Sequence, residues 1–108
     1  MPDFKGFLDT LVERIGLLAV GNLKDYHGAV TQDGKAFLEK ARADLERWSA
    51  LLELGQLTPD DFAWLVNGKK DLAELAALKQ AGIAQARLDT FRNALVGVVI
   101  GTAIEKFR

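Results

Sequence analysis

Residues 83–107 read IAQARLDTFRNALVGVVIGTAIEKF, and this stretch decides the fold. Leu88, Phe91, Leu95 and Val99 recur three and four residues apart, which places them on one side of a helix. Ala94, Val96, Val98, Ile100, Ala103 and Ile104 add apolar surface outside that stripe, and no charge falls within 94–104. A helix that is apolar on most faces must be covered on most faces. The rest of the chain, or a second subunit, has to provide that cover.

Working back from this segment, residues 69–81 carry a helical face of Leu72, Leu75, Ala76 and Leu78. Gly82 follows with no proline and no polar turn cluster around it, so the expectation is one continued helix to Phe107, kinked at Gly82, with a true break there as the alternative. Such a rod has about 38 residues and spans about 57 Å. Just upstream, Leu57–Phe62 is the strongest local signal. Thr58 is an N-cap, Pro59 sits at N1 and Asp61 at N3, with Leu57 and Phe62 placed to staple the turn. Asn67 and Gly68 end this short helix. Gly55 fits a left-handed C-terminal cap for the helix before it.

That preceding helix covers residues 35–54. Phe37, Ala41, Leu45, Trp48 and Leu52 form its stripe, and Lys35, Glu39, Lys40, Arg42, Glu46 and Arg47 face water. Gly28, Thr31, Asp33 and Gly34 favour a turn, so a break is expected near 28–34, with one long helix as the alternative. The first helix starts at Pro2 and Asp3, follows Phe4, Phe7, Leu8, Leu11, Ile15 and Leu18, and extends to about Tyr26. From Ile15 its charge disappears, in the run IGLLAVG. The fold class is all-α, a small antiparallel bundle of four to five helices in a single domain.

Composition agrees. The chain has 108 residues, 49% hydrophobic and 27% charged, which suits one domain with an ordinary core. It contains no cysteine, which removes disulfides, thiolate catalysis and Cys-ligated metal. The formal net charge is -1. Residues 83–108 hold Arg87, Arg92, Lys106 and Arg108 against Asp89 and Glu105, too sparse a basic set for a nucleic-acid partner. The start, MPDFKGF, lacks a signal peptide's basic and apolar regions, and no run reaches the ~20 apolar residues of a membrane span. A cytoplasmic location is the resulting expectation.

No catalytic constellation is readable. His27 is the only histidine, and no metal-binding histidine pair exists. Asp60 and Asp61 suit the first turn of a helix without further chemistry. Ser49, the only serine, has no histidine at helical spacing. Lys69 and Lys70 lack a phosphate-loop frame. No cofactor or metal is expected.

The sequence points instead to a non-enzymatic module that works by association. The apolar excess in 15–21 and 94–104 suggests a homodimer or homotetramer, or docking of another protein. Ile15, Leu18, Trp64, Gly97, Val98, Ile100, Gly101 and Ile104 are the candidate interface residues. Gly97 and Gly101, four apart, either pack against large side chains or admit a partner backbone. Trp64 either covers the end of the bundle or meets a partner. Two alternatives remain: peripheral membrane association of the C-terminal helix, flanked by Arg87, Arg92, Lys106 and Arg108, and a small-ligand carrier or enzyme with an apolar pocket between helices.

Overall fold

The computed structural model describes residues 3–18 and 23–107. Among these residues the chain forms five α-helices and two short 3-10 turns, an all-α domain. Helix α1 (Phe4–Leu17) starts at Asp3, whose carboxylate accepts a hydrogen bond from the Gly6 N–H at 2.9 Å. A 3-10 turn at Lys24–Tyr26 leads into α2 (His27–Glu53). Helices α3 (Pro59–Asn67), α4 (Ala76–Gln80) and α5 (Gln85–Phe107) follow, with a second 3-10 turn at Lys70–Leu72.

The 27 residues of α2 set the length of the molecule, whose longest dimension is 42 Å. Along α1, Phe7 meets Phe107 edge-on at 5.1 Å, and two turns later Arg14 meets Thr102 and Glu105. Helices α1 and α5 are therefore antiparallel. Phe4 lies beside Ser49 and Glu53, while Ile15 lies against Gly34, so α1 also runs against α2. Phe7, Leu11 and Ile15 of α1 join Phe37 and Leu45 of α2, Phe62 of α3 and Leu95 and Val99 of α5 in one continuous core.

The turns show why the chain reverses where it does. Gly55 has φ +75, with Gln56 N–H donating to the Leu51 carbonyl and Gly55 N–H to that of Leu52. This is a Schellman cap, which needs a residue tolerant of left-handed backbone. Thr58 then caps α3, its hydroxyl accepting from the Asp61 N–H at 3.0 Å, with Pro59 in the first turn.

Three boundaries differ from the sequence expectation. Helix α1 ends at Leu17, not near Tyr26. Of the uncharged run that follows, Ala19, Val20 and Gly21 lie outside the described residues, as do Pro2 and Arg108. No break occurs at 28–34, because α2 runs straight through it. The apparent turn residues there serve packing: Gly34 is buried under Ile15, and Asp33 is buried and accepts from the Ala77 and Leu78 N–H groups at 3.0 and 2.8 Å. His27 consequently opens a helix instead of closing one.

The third difference concerns the continuous rod to Phe107. Leu75 takes the left-handed conformation at φ 59, α4 lasts 5 residues, and Gly82 at φ +84 ends it with a second Schellman cap. Gly82 is a true break. The N-terminal N–H groups of α4 are satisfied by Asp33, which is distant in sequence, so no local capping residue advertised the helix start. Arg92 Nε donates to the Ala73 carbonyl at 3.0 Å, and Lys40 pairs with Glu74, fastening this segment between α5 and α2.

Candidate interaction surfaces

The eight candidate interface residues are divided among α1, its C-cap, α3 and α5. Ile15 is only 1% exposed and belongs to the interior, where its side chain covers Gly34. A subunit contact through Ile15 is thus closed off by the chain's own α2. Leu18, half-buried, is the C-cap of α1 and packs against the core. Trp64 is 76% exposed on α3. The remaining five share α5. Gly97 and Gly101 are exposed, and Val98, Ile100 and Ile104 are half-buried against the edge of the core.

Ala94, Gly97, Ile100, Gly101 and Ile104 are spaced three and four apart, so they form one outward stripe. Leu88, Phe91, Leu95 and Val99 take the opposite side and are buried. An alanine Cβ built at Gly97 or at Gly101 would meet nothing within 4 Å. Among the described residues, neither glycine is required by packing. The stripe carries no charge from Asn93 to Ile104, and Arg92 and Glu105, the charged residues immediately flanking it, are each paired. Arg92 bonds Asp89 at 2.9 Å, and Arg14 forms a two-pronged contact with Glu105 at 3.0 and 3.1 Å. Hydrogen bonding and charge from Arg14 hold the Glu105 carboxyl below its ordinary range, and the Arg14 guanidinium is correspondingly raised.

The sequence reading expected more exposed apolar surface than the fold leaves. In 94–104, Leu95, Val96, Val99 and Ala103 are buried, and Ala94, Val98, Ile100 and Ile104 are half-buried. The large apolar side chains left exposed among the described residues are Leu17, Leu54 and Trp64. A membrane-inserted α5 would need its buried side to leave the core, and no described helix is long and apolar enough to cross a membrane.

The side chains with catalytic potential are scattered. Ser49 is buried, and its position on α2 lies about 33 Å along the helix from His27. Asp60 and Asp61 occupy the exposed first turn of α3. Among the described residues no three His, Asp or Glu side chains gather as a metal site would require. Two surface clefts of about 220 and 230 Å³ lie along α1 and α2, the first lined by Leu8, Val12 and Leu38 under Lys35, Glu39 and Arg42. A third, of about 420 Å³, opens between Trp48 and Trp64.

Sequence reasoning missed the surroundings of Trp48. The Arg47 guanidinium and the Lys69 ammonium each stand 5.8 Å from its ring centroid, within cation–π range. The adjacency of Arg47 to Trp48 was visible in the chain, but the approach of Lys69 depends on how α3 folds back. The chain matches no family model, and no curated protein or solved structure matches it either.

Proposed function

We propose that this chain is a non-enzymatic association module whose α5 stripe pairs with the same stripe of a second copy. The observation that carries this reading is the pair Gly97 and Gly101, exposed in the middle of α5 with open space above both. Each glycine costs about 1 kcal/mol of helix stability relative to alanine. Nothing among the described residues offsets that cost. A partner backbone seated over the two glycines would.

The electrostatics are compatible with a two-fold contact, in which identical patches face each other. A patch with a net charge repels its own copy, and this one is uncharged along its length, with Arg92 and Glu105 at its two ends each paired. The stripe from Asn93 to Ile104 is about 16 Å long, so the contact is small and the dimer weak and concentration-dependent.

Sedimentation equilibrium across a concentration series tests the reading. The mass of the unaltered chain is expected to rise towards that of a dimer, and Gly101→Glu to remain a folded monomer. A mass that stays monomeric through millimolar concentration, or a dimer that survives Gly101→Glu unchanged, overturns it.

A further inference from the structure

We infer that Asn67 is a site of spontaneous covalent modification, in which its side-chain amide closes on the Gly68 backbone nitrogen and the last turn of α3 sets the rate. The chain has three asparagines, at positions 22, 67 and 93, and only Asn67 is followed by glycine. Glycine has no Cβ to hinder its own nitrogen and lets the backbone turn into the conformation that ring closure needs.

In the reaction the Gly68 nitrogen, deprotonated by hydroxide, attacks Asn67 Cγ. The N–Cγ bond forms, the Cγ–Nδ2 bond breaks, and the leaving nitrogen takes a proton from water and departs as ammonia. Water then opens the cyclic imide at either carbonyl. The product is aspartate or, with the main chain routed through the side chain, isoaspartate. Nothing is oxidised or reduced, and water is the only co-reactant.

The folded turn occupies both reacting groups. Asn67 Nδ2 donates to the Ala63 carbonyl at 2.9 Å, and the Gly68 N–H donates to the Trp64 carbonyl at 3.1 Å. A nitrogen engaged in a helical hydrogen bond is not free to attack. Release is local, because Asn67 is the last residue of α3, Gly68 is its C-cap, and both are exposed. Helix ends fray, and frayed segments open without the rest of the molecule.

Asp33 and Gly34, which reach the same imide by loss of water, show the opposite case. They lie buried inside α2, with the carboxylate held by the Ala77 and Leu78 N–H groups. Asn93 is exposed in α5 but precedes alanine, and Asn22 precedes leucine and lies outside the described residues. Conversion of Asn67 is one-way. It removes the donor to Ala63 and sets a negative charge at the carbonyl end of α3, which the helix dipole disfavours. The product thus loosens the turn that delayed its formation. None of this depends on the α5 contact.

The test holds the full chain in neutral buffer, with and without denaturing urea, and follows its tryptic peptides by mass spectrometry. Electron-transfer fragmentation separates isoaspartate from aspartate. A gain of a single mass unit is expected at Asn67, mostly as isoaspartate, with Asn93 and Asp33 unchanged over the same period. The folded chain should react about tenfold more slowly than the unfolded one, as a locally opening turn does. Thr58→Ala removes the cap of the 9-residue α3 and should raise the folded rate several-fold, with a melting curve verifying that the variant folds. Amide exchange at Gly68 should quicken in the converted chain. Equal rates in the folded and unfolded chains overturn the inference, and so does a folded rate more than about a hundredfold lower, which would make the site closed. Isoaspartate forming as fast at Asp33 as at Asn67, a Thr58→Ala rate equal to that of the unaltered chain, or unchanged exchange at Gly68 after conversion has the same consequence.

Discussion

Mid-helix glycines in two regions of this molecule, Gly34 of α2 and Gly97 and Gly101 of α5, do opposite things. At Gly34 a Cβ would stand 2.5 Å from Ile15 Cγ2, so the absent side chain is what lets α1 lie against α2. At Gly97 and Gly101 a Cβ would meet nothing within 4 Å, although all three glycines interrupt long helices. The first glycine is explained by the protomer. The other two are not, and the difference separates a contact the chain makes with itself from one that it leaves open.

The largest expected effect lies on the closed side of this comparison. Gly34→Ala forces the new methyl into the Ile15 side chain, and overpacking of this kind costs about 1–3 kcal/mol. A lower denaturant midpoint with an unchanged slope would report it. Adding Ile15→Ala removes the clashing atoms, so the double variant should lose less than the sum of the two single losses. Strict additivity would break the claim that the glycine exists for Ile15.

Asp33, next to Gly34, comes second. Its carboxylate is buried and holds two N–H groups at the start of α4. Asp33→Ala removes a cap supplied from another helix, with an expected cost of about 1–2 kcal/mol. Amide exchange at Ala77 and Leu78 should quicken first. Unchanged exchange there would show that α4 holds its start without α2.

These same residues show what could be read in advance. The stripe of α5, the Gly55 reversal and the Thr58 cap were legible because each rests on side chains within a few positions of one another. Gly34 and Asp33 resemble turn residues in sequence because their partners, Ile15 and α4, are distant along the chain. Local rules weigh glycine and aspartate as breakers, and tertiary contact overrode them. Gly82 erred the other way: its Schellman cap uses only backbone groups and a neighbouring Leu78, so no polar cluster announced it. Of the candidate surfaces, the α5 stripe could be placed on one face by spacing alone. Burial of Ile15 and the gathering of Arg47, Lys69 and Asp44 around Trp48 depend on how helices cross, which spacing does not encode.

On the open side of the comparison the sign reverses. Gly97→Ala and Gly101→Ala should each stabilise the monomer by about 1 kcal/mol, since alanine is the better helix former and has room in both places. If a second copy lies over these positions, the same substitutions should raise the dimer dissociation constant while raising the melting temperature of the dilute chain. A gain in stability with no change in association would sharpen the contrast differently, leaving the glycines without a partner on either side.

The smallest effect concerns the end of the stripe, where Arg14 of α1 grips Glu105 of α5. The Arg14 hydrogen bond, then its charge, keeps the Glu105 carboxyl ionised below the ordinary glutamate range, with Lys106 adding to this and partial desolvation opposing it. A carboxyl lowered in the folded state contributes stability that is present above its unfolded value and lost as the pH falls through its folded value. Both groups face solvent, so the fold itself should register little of this loss. Association is the more sensitive readout. At a pH below the ordinary glutamate range, Glu105 becomes neutral and leaves Arg14 as an unanswered cation beside each copy's stripe. The dimer should therefore weaken on the acid side, and Glu105→Gln should weaken it at neutral pH while flattening the acid response. Glu74, lowered in the same way by Lys40, is the internal control. Its pair joins the α3–α4 connection to α2, away from the stripe, so Glu74→Gln should leave the dissociation constant where it was. If the two variants behave alike, acid acts on the whole molecule's charge and not on the open face of α5.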